Sequence, residues 1–185
     1  RLGTKSTKKL MKVEINDDFC FVRKDVHIPV SDGNHIVASF FYNVTEDELN
    51  NTGTNFSQGP EKPSKIDVNC APCLIYCHSH NGTRVEGRFL REFCGKNRYC
   101  LCLFDFLGHG QSQGEYSSLG YFEQFQLERL IEYLRCNFNV GPIGLWGRSM
   151  GAVTCILYAA NNSFNVTAMV LFHLNSRFAT ALLLH

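Results

Sequence analysis

Gly147-Arg148-Ser149-Met150-Gly151 constrains this chain more than any other stretch, because of what flanks it. Before it runs Gly141-Pro142-Ile143-Gly144-Leu145-Trp146, short and apolar, which reads as a buried strand. After it, residues 152–160 form an apolar run that reads as a packed helix. A G-x-S-x-G set between strand and helix makes a turn so tight that its serine takes a strained backbone conformation. A side chain two residues to either side would collide with that turn. Glycine at 147 and 151 removes the collision, and Ser149 is expected to stand clear of the sheet with its hydroxyl exposed. The pentapeptide alone is equally compatible with an ordinary strand-to-helix connection. Context decides between the two.

Upstream, the chain alternates in a way that favours layers. Phe19 to Val30 suits a strand, Ser31-Asp32-Gly33-Asn34 a turn, and His35 to Tyr42 the returning strand of an antiparallel hairpin. Residues 43–69 are rich in Asn, Thr, Glu, Gly, Pro and Ser and are expected to form a long surface loop. The rhythm then changes. Pro72 to Cys77 and Arg98 to Asp105 carry continuous apolar runs, as strands covered on both faces do. Val85 to Cys94 places Val85, Phe89, Leu90 and Phe93 on one helical face. Tyr121 to Asn137 does the same with Phe122, Phe125, Leu130, Tyr133 and Leu134. Val166 to Phe172 supplies a last strand. Two hairpin strands followed by four buried strands with intervening helices predict an α/β fold: a mostly parallel sheet, an N-terminal antiparallel hairpin and helices on both faces. Residues 1–18 read as a polar segment without structural pattern, expected to be disordered, and 19–185 as the folded part.

Two further motifs lie at the ends of the first two buried strands: His78-Ser79-His80-Asn81-Gly82, and Asp105-Phe106-Leu107-Gly108-His109-Gly110-Gln111-Ser112. With Gly147 to Gly151, in this order, they resemble the α/β-hydrolase superfamily, and within it the serine aminopeptidase-like (S33-type) and Bem46-like branch. The resemblance covers residues 19–172 and implies a serine hydrolase acting on an ester, thioester or amide through an acyl-enzyme on Ser149. The pentapeptide is then the nucleophile elbow. The backbone N–H groups of Met150 and His80 would form the oxyanion hole, His80 by its place in the turn after the first buried strand. Ser79 stands where the family turn has glycine. If that position needs a positive φ, serine costs about 1 kcal/mol there. His78 is expected to order its loop, Asp105 and His109 to hold theirs, and Arg148 to form a surface salt bridge.

Composition narrows the alternatives. A net charge of +1 across 185 residues offers no footprint for nucleic acid. No apolar run is long enough to span a bilayer. Nine cysteines, an odd number scattered through apolar stretches, argue against a disulfide framework and for a reducing, cytoplasmic setting. The chain opens on Arg1, so a targeting segment could precede it. Cys70-Ala71-Pro72-Cys73 has zinc-like spacing without a second ligand pair, which points to thiols used as small apolar groups and to no metal. No cofactor is implied, since acyl transfer uses side chains and backbone dipoles. The implied partner is a small-molecule, lipid or peptide acyl substrate, with oligomeric state unknown.

The family order is serine, then acid, then histidine, yet no Asp or Glu follows Ser149. His173 and His185 are the only later histidines. The expectation is a partial domain lacking the family's last strands, inactive as it stands, with residues 166–172 left as an exposed apolar edge. The alternative is a non-catalytic relative acting as an interaction module.

Overall fold

In a computed structural model, residues 11–16, 19–30, 33–45, 66–172 and 179–183 are described, with backbone alone for 11–16, 19–20 and 179–183. Among the described residues, eight strands form one sheet: β1 (Met11–Asn16), β2 (Phe19–Pro29), β3 (His35–Thr45), β4 (Cys73–Cys77), β5 (Cys100–Asp105), β6 (Ile143–Arg148), β7 (Ala168–Phe172) and β8 (Ala179–Leu183). Their spatial order is β1-β2-β3-β5-β4-β6-β7-β8. The central strands β5, β4, β6 and β7 are mutually parallel, and β1, β2 and β3 join antiparallel on one side. The predicted α/β arrangement, parallel at its centre with an antiparallel N-terminal flank, is the one observed.

Side-chain alternation along the parallel strands explains the layering. Cys73, Ile75 and Cys77 of β4 face one way with Cys100, Cys102 and Phe104 of β5. They meet Leu127, Leu130, Ile131, Leu134 and Phe138 of α2 (Glu123–Phe138), and Cys155, Tyr158 and Ala159 of α3 (Met150–Asn161). Tyr76 of β4 and Leu101 and Leu103 of β5 point the other way, onto Leu90 and Cys94 of α1 (Leu90–Lys96). Helices therefore cover both faces. All eight described cysteines are free, and six of them, Cys77, Cys100, Cys102 and Cys155 among these, are buried as small apolar groups.

Three expectations change. Met11–Asn16 is a strand paired with β2, although its polar sequence gave no pattern. Pairing with a neighbour supplies the order that composition did not predict. Second, β7 is not the sheet edge. Ala179–Leu183 returns antiparallel along it, from Ala168↔Leu183 to Phe172↔Ala179, because an apolar strand satisfies the hydrogen bonds that an open edge would leave unmet. Third, the apolar faces read for the helices were partly misplaced. Residues 84–89 form a 3-10 turn before α1, which rotates Val85, Phe89 and Phe93 outward, so that each is about half exposed. Gly87 lies in that turn, where a Cβ would sit 2.6 Å from Leu103 and 2.7 Å from Tyr76. Its bare backbone lets the turn settle on the sheet. Phe122 and Phe125 of the second helical segment are likewise exposed, and Leu127 and Ile131 take the core positions. Most of the expected 43–69 loop, residues 46–65, lies outside the described residues.

Candidate functional site

Ser149 caps the N-terminus of α3 with φ 52° and ψ −114°, a combination that side-chain-bearing residues avoid. Three contacts hold it there. Its N–H donates to the Phe172 carbonyl at 2.8 Å, and its own carbonyl accepts from Ala152 and Val153 at 2.9 and 3.1 Å. The turn is thus fixed between the end of β7 and the first turn of α3. Ser149 stays half-buried, neither sealed in the core nor fully outside it.

The flanking glycines have separate steric reasons. A Cβ on Gly147 would lie 2.6 Å from the Ala152 Cα and 2.7 Å from the Gly151 carbonyl, so the two limbs of the turn would collide. A Cβ on Gly151 would lie 2.0 Å from the Cys77 carbonyl oxygen and 2.8 Å from that of His78. That glycine lets α3 press against the end of β4. Gly151→Ala is expected to cost about 1–3 kcal/mol, because backbone cannot yield as a flexible side chain does. Urea unfolding of the two proteins checks this.

The end of β4 carries the second motif. His78 is fully buried and both ring nitrogens meet backbone: Phe106 N–H donates to Nε2 at 3.0 Å, and Nδ1–H donates to the Ser79 carbonyl at 2.7 Å. The neutral Nδ1–H ring satisfies both contacts. Burial lowers its pKa below the ordinary histidine value, assisted by neighbouring His109 and opposed by the Ser79 carbonyl. Protonation then favours the unfolded chain, so the stability His78 contributes is complete above about pH 6.5 and declines as the pH falls below it. NMR titration should place the His78 imidazole below free histidine, and denaturant midpoints should fall on acidification from pH 7.

Ser79 is buried and is not among the described non-glycine residues with positive φ. Serine in place of the family's glycine therefore carries no left-handed strain. Its N–H and Oγ both donate to Glu86, at 3.2 and 2.7 Å. The turn closes with Gly82 N–H donating to the Ser79 carbonyl at 2.9 Å. His80 follows with an exposed side chain, and its carbonyl accepts from His109 Nε2 at 2.7 Å. With Nε2 carrying the proton, this bond staples the turn to the loop after β5, and the unprotonated Nδ1 lies 3.0 Å from the Leu107 carbonyl without bonding it.

That loop is organised by Asp105, whose carboxylate is buried. It accepts from the Arg84 backbone N–H at 2.7 Å and the Gln111 N–H at 3.0 Å, and it pairs with the Arg84 guanidinium. Its carbonyl takes the Ser112 hydroxyl at 2.6 Å, and Ser112 Oγ in turn accepts from Val37 N–H at 2.8 Å. Every oxygen of Asp105 is occupied by structure, as its motif suggested. A Cβ at Gly110 would fall 2.3 Å from the Asp105 carboxyl carbon, so the loop wraps tightly around the acid.

Two residues went unnoticed in the sequence. Arg84 is the buried counter-ion of Asp105. Glu86 lies beneath Ser79, accepts from Tyr76 Oη at 3.2 Å and faces Arg148 Nη1 at 3.5 Å. Burial, reinforced by the Glu86 carboxylate, pushes the Tyr76 hydroxyl well above its ordinary pKa and keeps it a donor. The available signal was Thr83-x-x-Glu86, which reads as a capping box with Glu86 folded back on Thr83. Thr83 does cap the turn, accepting from Val85 N–H, but the carboxylate turns to Ser79 instead.

Among the described residues, no group of three or more His, Cys, Asp or Glu is placed to hold a metal ion. No described helix is long and apolar enough to cross a membrane. A cleft of about 860 Å³ lies elsewhere, between the 114–118 segment and α2, and Ser149 does not line it.

The chain resembles known proteins over much of its length. A 60-residue stretch is 43% identical to the uncharacterized protein YqkD of Bacillus subtilis, covering 32% of this chain and 20% of that protein. The Pyrococcus furiosus esterase Pf2001 superposes on 80% of this chain and 49% of its own, with a TM-score of 0.57 and 24% identity. An esterase from Exiguobacterium antarcticum (TM-score 0.56, 17% identity) covers 79% of this chain and 44% of its own. An epoxide hydrolase from Vigna radiata (TM-score 0.56, 14% identity) covers 80% and 39%. The chain thus spans half or less of the length of these relatives. Residues 72–179, from the first parallel strand through the serine turn to the start of β8, match the family described as alpha/beta hydrolase fold. With that match joined to the parallel sheet and the strained serine at its strand-to-helix turn, this chain belongs to the alpha/beta hydrolase fold family.

Proposed function

We propose that this chain carries the nucleophile and oxyanion-hole half of a serine acyl hydrolase of the S33-like or Bem46-like type. The observation that carries the reading is the strained, half-buried Ser149 at the junction of β6 and α3. Strain of about 1–3 kcal/mol in a residue that the surroundings over-determine is a mark of functional placement. In this reading Ser149 Oγ attacks the acyl carbon of an ester, thioester or amide and its proton passes to a base. The leaving group departs, and water then releases the acid. Met150, first residue of α3, offers an N–H with no intrahelical acceptor. The His80 N–H offers the second donor to the developing oxyanion. Gly147 and Gly151 keep the turn sharp enough to present the hydroxyl. No cofactor is required.

The acid of the triad would come from residues outside Arg1–His185, since no Asp or Glu follows Ser149, and His173 and His185 are the only histidines after it there. The same observation favours a second reading, a non-catalytic relative that binds a partner. The substrate would be a small molecule, lipid or peptide with an acyl linkage, met in the cytoplasm, where the eight described cysteines, all free, persist reduced.

Turnover of p-nitrophenyl butyrate by residues 1–185 and by the protein isolated from its natural source tests this. Rapid hydrolysis by the isolated protein and slow hydrolysis by 1–185 is the expected result. Equal inertness of both would leave the binding reading standing. Robust turnover by 1–185 alone would refute the need for outside residues.

A further inference from the structure

Among the described residues, Glu86 is the one carboxylate that touches both halves of the proposed site. On one side it takes the Ser79 N–H at 3.2 Å and the Ser79 hydroxyl at 2.7 Å, immediately before His80. On the other its Oε1 lies 3.5 Å from Arg148 Nη1, immediately before Ser149. Tyr76 Oη steadies it from the strand at 3.2 Å. The turn also closes directly over it: a Cβ at Gly82 would come within 2.0 Å of Glu86 Oε1. Its side chain is only 20% exposed, so these contacts are poorly replaced by water.

We infer that Glu86 is a positioning residue: it aims the His80 N–H at the oxyanion through Ser79 and couples that turn to the serine elbow through Arg148. The inference rests on the hydrolase reading of Ser149 and deepens it. Ser79 then has a purpose that glycine at this position does not serve. Its hydroxyl adds a charge-assisted bond that fixes the turn from inside, at a residue without left-handed strain. Serine and glutamate act as one device. Arg148, 43% exposed, balances the carboxylate's charge without sealing it from solvent.

The test uses a form of the protein that turns over esters, in four versions: wild type, Ser79→Gly, Glu86→Gln and the double variant. Two quantities are read for each. Amide hydrogen exchange across residues 79–82 reports the turn itself, and the rate of Ser149 labelling by a fluorophosphonate reports its effect on acylation geometry. Each single variant should exchange faster at the turn and label about tenfold more slowly, while still unfolding cooperatively at a modestly lower melting temperature. The double variant should be no slower than the slower single, because the two residues share one interaction. Independent, multiplicative losses would overturn the inference, as would wild-type exchange at 79–82 in Glu86→Gln. If Glu86→Gln does not fold, Ser79→Ala removes only the hydroxyl bond, and unchanged turn exchange in it would equally overturn the inference. Failure of the wild type to label would refute the hydrolase reading, and the exchange comparison would still decide whether Glu86 holds the turn.

Discussion

Ser149→Gly should give a protein more stable than its parent and unable to acylate. The φ of 52° with ψ −114° is a conformation glycine adopts freely and serine does not, so relieving it is expected to return about 1–2 kcal/mol. Ser149→Ala keeps the Cβ and therefore the strain, so its stability should match that of the parent. Both variants lack the hydroxyl. In a form of the protein that turns over esters, each should lower kcat/KM by about 10³-fold or more, since the oxyanion donors alone retain only residual catalysis. Denaturant melts and ester assays on the three proteins separate the effects. A serine kept for an ordinary connection would show the first and not the second.

Asp105→Ala should be the most damaging single change to the fold. It strips the partner from the Arg84 guanidinium, whose side chain is 10% exposed, and from the backbone N–H groups of Arg84 and Gln111. Removing one member of a buried ion pair leaves an uncompensated charge and costs about 3–5 kcal/mol. Domains of this kind hold about 5–15 kcal/mol in total, so much of the population is expected to unfold or to open at the 105–112 loop. Asp105→Asn keeps the volume and one acceptor and should lose less. The order of urea midpoints, wild type above Asn above Ala, checks the assignment. Equal midpoints would mean that Asp105 is not the organiser of its loop.

The sequence made the chain's centre legible where chemistry and geometry coincide. Continuous apolar runs at Pro72 to Cys77 and Arg98 to Asp105 mark strands because a strand covered on both faces has no polar side to alternate with. The glycines at 147 and 151 mark the elbow because two separate backbone approaches exclude a Cβ there. Other features depend on partners remote in sequence. Met11–Asn16 becomes a strand only by lying against β2, and Ala179–Leu183 only by returning along β7. The tilt of residues 84–89 follows from Gly87 meeting Leu103 and Tyr76, which a helical wheel cannot see. Glu86 went unnoticed because its partner Ser79 lies seven residues away, beyond the reach of a local capping pattern. Ser79 itself looked costly while its backbone was unknown, and its φ removes the cost.

Treating the protein isolated from its natural source with a fluorophosphonate probe and mapping the adduct by peptide mass measures the central idea directly. A single adduct on the peptide containing Ser149, absent from Ser149→Ala, is the result this account requires. A protein that folds, keeps its serine and takes no adduct there would contradict it, and the strained turn would then be a relic of ancestry with no reactive oxygen to present.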